Sequence, residues 1–441
     1  MGCSNPCHSR CVQYLRQQRC NVFAIEADRL VDVRNEELGR RVFGQYVVSR
    51  DPGAVVDEAT MRRARAAHDA VDAVLAEIAR HEPAVGEQVH ILSREPGSVA
   101  AFRTGARLLA RWLDRHPASV PHVAQAADDA EYSTLVTYHV GELAGTGPRS
   151  AGVPADRLAG LPAPGLNPAK DRAELAVVVP VGFPEGQPHR QRNCLAVLHA
   201  LNRQRLDRSR YRVVVVEQGP RPRADEVIAR LVDDYVFAPN PGDFNKSWAF
   251  QIAVNLVDSA TFLCLLDADA LPDANYLGNA LRHLRAGESA LLPFTDVLHL
   301  DEACTAVALH QVLPLGPGGG GLVDDRWLRG FRMTGPVGFS VWVSRERYLS
   351  VGGHDERCRG WGYEDIEFHD RLVASGGVRR LPGMLPHLWH PRPLMTVDGV
   401  TGANTHLRRL PRPAGGQADG SRPGDPDRYR SEFERSEHAH R

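Results

Sequence analysis

Phe262-Leu-Cys-Leu-Leu-Asp-Ala-Asp-Ala-Leu-Pro272 is an apolar run of strand length that stops at two carboxylates one residue apart, with a proline shaping the turn behind them. Asp267 and Asp269 therefore leave a sheet edge into a loop. Hard oxygen ligands in such a place, with room for water and phosphate, suit Mg2+ or Mn2+ bridging a diphosphate. An Asp-x-Asp pair alone is common in loops, so the flanking sequence has to show that a sheet stands behind it.

It does. Leu175 to Pro180 and Tyr211 to Glu217 are β-branched runs of buried-strand length, and helical segments fit between the runs at 188 to 204 and 246 to 259. Short strands alternating with helices predict an α/β domain on a mainly parallel sheet. Ligands of such sheets sit beyond the carboxyl ends of the strands. Three strand ends carry polar residues there: Pro180 to Arg192, Glu217-Gln218-Gly219, and Asp267-Ala268-Asp269. Arg190 and Arg192 could reach phosphate or uracil, but in a chain so rich in arginine a solvated helix face is the preferred reading. Glu217 reads by its position alone as an exposed strand-end carboxylate.

Outward from this core the composition changes. Residues 1–140 are expected to be a mostly helical region, with Ala, Leu and Arg-rich runs at 61 to 80 and 99 to 116 and no chemical motif. A Gly/Pro-rich linker is expected at 141–172, the catalytic domain at 173–406, and a disordered tail at 407–441, where apolar residues thin out. Gly316-Pro-Gly-Gly-Gly-Gly321 reads as a mobile lid or as a plain flexible insertion. Cys3, Cys7, Cys11 and Cys20, with His8, offer a metal cluster, yet paired two-residue spacing is missing, and free thiols are the default.

With 53 Lys+Arg against 54 Asp+Glu the formal charge is -1, so no global field recruits nucleic acid or anionic lipid. Only Lys170 and Lys246 are lysines, which singles out Lys246 inside the domain. No stretch reaches the ~20 continuous apolar residues of a membrane span, and a cytoplasmic location is the expectation.

A second signal lies downstream. Gly338 to Gly353 reads as a strand and a short helix ended by glycines, and Gly360-Trp-Gly-Tyr-Glu-Asp365 then opens another helix. Glu364 and Asp365 in a first helical turn are stabilised as anions by the helix dipole, so capping explains the acids. It does not explain the glycines around Trp361, which suggest backbone close to a ligand and an indole stacked on a sugar.

These segments resemble the C-terminal galactosyltransferase region of the β1,4-galactosyltransferases and of chondroitin-type and polysaccharide synthases, inverting glycosyltransferases with the glycosyltransferase A fold. Gly360 to Asp365 matches their Gly-Trp-Gly-x-Glu-Asp run, Phe244-Asn245-Lys246 their Phe-Asn-Arg segment near the nucleotide, and Asp267-Ala268-Asp269 their metal motif; the similarity spans about Glu174 to Pro391. The resemblance implies a metal-dependent, inverting transfer of a sugar from a nucleotide diphosphate, a UDP-sugar, to a hydroxyl acceptor. It implies Asp269 as metal ligand with Asp267 beside it, and a histidine from Pro386-His387-Leu388-Trp389-His390-Pro391, with His390 fitting best and His387 competing. Mn2+ fits that shell better than Mg2+. Asp365 becomes the base, Glu364 orients hydroxyls, and Pro180, Glu217, Asn245, Lys246, Asp267 and Trp361 line the donor. Lysine in place of arginine at position 246 meets phosphate as a point charge only. Pro336 stands where an aromatic residue helps those enzymes choose galactose, so the donor sugar stays open, as does the acceptor: glycan, peptide or small natural product. The competing readings are a nucleotide-sugar or carbohydrate-binding protein that has lost turnover, and a nucleotidyltransferase, for which Pro180 to Pro188 carries too many prolines.

Overall fold

The computed structural model describes residues 30–54, 56, 58–146, 152–163, 165–316, 319–360, 362–391, 404–409 and 422–430. The N-terminal cysteines and Trp361 lie outside the described residues.

Among the described residues five α-helices come first: α1 (Leu30–Val48), α2 (Glu58–His81), α3 (Pro83–Arg94), α4 (Val99–Arg115) and α5 (Val120–Thr134). Their apolar positions recur at helical spacing. Phe102, Leu109 and Leu113 of α4, and Val71, Leu75 and Ile78 of α2, are buried in one shared core with Phe43 and Val47 of α1. The chain then leaves the helices through β1 (Val136–Val140), which pairs antiparallel with β8 (Arg329–Thr334). That ladder joins the helical region to the rest of the molecule. A short helix, α6 (Ala155–Ala159), lies within the expected linker.

The second half is an α/β unit. In chain order it contains β2 (Leu175–Gly182), α7 (Pro188–Leu201), β3 (Tyr211–Gly219), α8 (Asp225–Ala229), β4 (Asp234–Pro239), α9 (Lys246–Leu256), β5 (Phe262–Leu266), α10 (Tyr276–Arg285), β6 (Ala290–Leu292), β7 (Asp296–Leu300) and α11 (Glu302–Val312). After β8 follow β9 (Ser340–Ser344), α12 (Arg345–Ser350), α13 (Glu364–Ala374), β10 (Arg379–Arg380) and β11 (Met384–His387). Seven strands form the main sheet in the order β10-β6-β9-β5-β2-β3-β4, parallel except for β9, which runs against both neighbours. Strand β2, flanked by β5 and β3 inside the sheet, is the continuous apolar run of the sequence: Val177, Val178 and Val179 have no exposed surface. Each such side chain contributes about 1.5–3 kcal/mol of burial, which makes β2 a core strand rather than an edge.

A second sheet, β1-β8-β7-β11, carries the last strand parallel to β7. It sets His387 opposite His299 and brings β11 beside the loop after β5. Among the described residues no helix is long and apolar enough to cross a membrane.

The tail departs from expectation. Residues 422–430 pack on α9 instead of lying free: Trp248 Nε1 donates to the Asp425 carbonyl at 3.0 Å and Asn255 Nδ2 to the Pro423 carbonyl at 2.8 Å. Sparse apolar content hid this because the contacts are mostly polar and backbone-mediated.

Packing of α7 on α6 yields a pH prediction. His199 is fully buried, its Nε2 lies 2.9 Å from the Leu158 carbonyl, and its Nδ1 faces Arg203 Nη1 at 3.3 Å. Arginine only donates, so Nδ1 accepts, Nε2 carries the proton, and the ring is neutral. Burial drives its pKa down from the usual 6.5 to about 4. A lowered folded-state pKa gives stability that is complete above pH 6.5 and lost as pH falls toward 4, about 3 kcal/mol in all. Urea midpoints at pH 7.5 and 4.5 are expected to differ by less in His199→Gln than in the wild type; an unchanged difference counts against the assignment.

Candidate active site

Backbone hydrogen bonds stitch three segments at the carboxyl end of β5. Asp267 N donates to the Phe339 carbonyl at 2.9 Å, Leu271 N to Pro386 O at 2.9 Å, and Leu388 N to Asp269 O at 2.8 Å. The last two hold the end of β11 against the Asp-x-Asp turn. Consequently both histidines of the Pro386–Pro391 run meet one carboxylate: His387 Nε2 lies 3.2 Å from Asp269 Oδ1, and His390 Nε2 lies 3.0 Å from Asp269 Oδ2. The sequence offered His390 and His387 as rivals; the fold brings in both. One ligand atom from each of Asp269, His387 and His390 falls within 4.8 Å of the others. Asp267, expected to stand beside the metal, is outside this group.

The electrostatics match. Burial alone would raise Asp269, but the two imidazoles hold it well below the usual carboxylate range. Burial lowers His387 against the opposing pull of Asp269. An ionised carboxylate with neutral imidazole is the protonation state a divalent cation requires.

Lys246 begins α9, where the Asn245 side chain caps the helix by accepting from Trp248 N at 2.8 Å. Its Nζ lies 2.9 Å from Asp267 Oδ1, 3.0 Å from Asp365 Oδ1 and 3.7 Å from Glu364 Oε1. The lysine expected to face phosphate is thus engaged by three carboxylates, and it ties the β5 turn to the start of α13. Burial would lower the Lys246 ammonium, but Asp267, Asp365 and Glu364 hold it well above its ordinary value. One ammonium does not balance three acids. Burial and the neighbouring Asp365 push Glu364 up to about 7, and burial with Asp365 and Asp269 pushes Asp267 to about 7 against the pull of Lys246.

Asp365 packs against the backbone of Gly338. A Cβ at that glycine would fall 2.2 Å from Asp365 Oδ2, so any side chain there displaces the carboxylate. Glu364 Oε2 is buried and has no hydrogen-bond partner among the described residues. A buried, unsatisfied carboxyl oxygen at a site mouth is stabilised by an incoming hydroxyl.

Three residues expected at the donor are engaged within the fold itself. Pro180 is buried inside β2, paired with Val216. Glu217 is buried at 1 % exposure, its Oε1 accepting from Arg223 N at 2.7 Å and its Oε2 from the Tyr235 hydroxyl at 2.8 Å, so it braces the loop after β3. Asn245 spends its oxygen on the helix cap, and its Nδ2 donates to the Glu356 carbonyl at 2.7 Å. Conversely, the arginines read as solvated face the site. Arg190 Nη1 stands 3.6 Å from Asp269 Oδ2, while the buried Arg192 donates to the Trp389 carbonyl at 2.8 Å and steadies the segment between the histidines. Arginine abundance masked them. The available signal was their position in the first turn after a strand end, where anions are bound.

Residues 190–297 match the model for glycosyl transferase family 2, and residues 325–392 match the one described as the N-terminal domain of galactosyltransferase. Human chondroitin sulfate synthase 3 is 22 % identical over 159 residues, 35 % of this chain, and the mouse protein is 23 % identical over 160 residues, 36 % of the chain. The aligned part spans 17 % of the length of either relative. Among solved structures, a Pyrobaculum calidifontis mannosyltransferase aligns with TM-score 0.32 at 17 % identity, over 53 % of this chain and 62 % of its own. Drosophila β1,4-galactosyltransferase 7 aligns with TM-score 0.26 at 17 % identity, over 47 % and 64 %. The half of the chain that carries this site is thus similar to glycosyltransferases, through two family models and two chondroitin sulfate synthase relatives.

Proposed function

We propose that the protein transfers a sugar, with inversion, from a nucleoside diphosphate donor of the UDP-sugar type to a hydroxyl acceptor. The observation that carries this reading is the meeting of Asp269, His387 and His390 beside the Asp267–Lys246–Asp365 cluster. The family models and the chondroitin synthase relatives supply the sugar-transfer class.

One carboxylate and two imidazoles fit Mn2+, and Asp269, His387 and His390 would hold it. Bound there, the ion supplies charge neutralisation for a departing diphosphate. Arg190, beside Asp269 and partly open to solvent, adds a fixed cation for the same phosphates. Asp365 receives the acceptor hydroxyl's proton on a carboxylate fixed by Lys246 and Gly338, so position, rather than basicity, gives it its effect. Glu364 turns its unsatisfied oxygen toward a donor or acceptor hydroxyl.

The test is a panel of UDP- and GDP-sugars with Mn2+, with and without EDTA, followed by product mass spectrometry and NMR of the new anomeric centre. Turnover of one donor, lost with EDTA and giving inverted configuration, is expected. Retained configuration overturns the single-displacement mechanism, and absence of both binding and turnover across the panel overturns the function.

A further inference from the structure

The C-terminal contacts reach the acid-bearing loop. Glu356 is 2 % exposed, and its carboxylate is filled from the tail: Gly424 N donates to Oε1 at 2.7 Å and the Arg428 guanidinium donates to Oε2. The backbone carbonyl of the same residue accepts from Asn245 Nδ2, the cap of the helix that begins with Lys246. Four links therefore join Arg428 to Glu356, Asn245, Lys246 and Asp365. Gly424 makes the approach feasible: at φ +67° it lies so close to α9 that a Cβ would fall 2.7 Å from the Gln251 carbonyl. Arg428 also lies over the Trp248 ring, with Tyr429 edge-on to the same indole at 5.3 Å between centroids.

A second strand of contacts grips the loop from its other side. Asn404 accepts from Arg359 N at 3.2 Å and donates through Nδ2 to the carbonyls of Arg359 and Gly362, each at 2.9 Å. The Arg408 guanidinium covers the Tyr363 ring at 5.0 Å. Tyr363 holds a left-handed φ of 75° immediately before Glu364, a conformation that costs about 1 kcal/mol or more and needs outside support.

We propose that residues 404–409 and 422–430 form a clasp that positions Asp365 and Lys246 for transfer, with Glu356 and Arg428 as its positioning residues. This rests on the transferase reading above. The clasp touches the far side of the loop and of α9, so its loss changes the placement of the base while the Asp269–His387–His390 group, on other elements, is retained.

The experiment compares wild type with Arg428→Met, Arg428→Lys and Gly424→Val in steady-state transfer and in hydrogen exchange. Arg428→Met and Gly424→Val are expected to lower kcat about 10- to 100-fold with donor KM little changed, and to speed exchange at 354–365 and 246–250. Arg428→Lys, which restores the buried charge, is expected to recover most of both. Gly424→Val blocks docking by steric clash with α9 and leaves the Arg428 side chain intact, so an effect shared by both variants belongs to the docking and not to one substitution. Normal exchange in both variants overturns the clasp; faster exchange with unchanged kcat overturns the positioning role. If the wild type turns over no donor, the transferase reading fails by itself, and exchange still decides whether the clasp exists.

Discussion

Asp365→Asn is expected to lower kcat by about 10²- to 10⁴-fold, the usual contribution of a general base. Asparagine keeps the shape of the side chain and a carbonyl oxygen for Lys246, whose Nζ sits 3.0 and 3.1 Å from the two carboxylate oxygens. It cannot take a proton. Donor binding is expected to persist, because the Asp269–His387–His390 group and Arg190 are built on other segments. Calorimetric titration with the unreactive nucleoside diphosphate separates the two effects. A kcat within tenfold of wild type would transfer the base role elsewhere, with Glu364 first in line because it neighbours Asp365 and has a buried oxygen without a hydrogen-bond partner among the described residues.

The second large effect concerns the histidine that the sequence placed second. His387→Ala and His390→Ala are each expected to weaken Mn2+ binding by more than about tenfold, and Asp269→Asn to abolish metal-dependent transfer. The argument is geometric: the two Nε2 atoms approach different oxygens of one carboxylate, at 3.2 and 3.0 Å. Removing either ring opens one side of the group. Electron paramagnetic resonance of free Mn2+ reads the affinity directly, without reference to turnover. Loss confined to His390→Ala would reduce the site to one imidazole and restore the simpler ligand set.

The same two side chains show how far the sequence reads. That a histidine follows the last core strand was legible from the motif; that two share Asp269 was not. Their meeting depends on the bridge between Ala270 and His387 and on Leu388 N bonding Asp269 O, contacts between segments distant in the chain. Lys246 makes the point from the other side. Its place at a helix start was readable, but a lysine has a long stem and no directional preference among acids, so its pairing with Asp267 and Asp365 is set by what surrounds it.

Local physics therefore fixed the strands at 175, 211 and 262, the carboxylates beyond the third, and the helix opening at Glu364, because periodicity, capping and strand length act within a few residues. The fold alone decided the two-histidine group, the burial of Glu217 and Asn245, the entry of β1 into the second sheet and the docking of residues 422–430. Each of these joins positions far apart in the chain, where closure of the intervening chain, desolvation and competing partners determine the outcome and no short pattern encodes it.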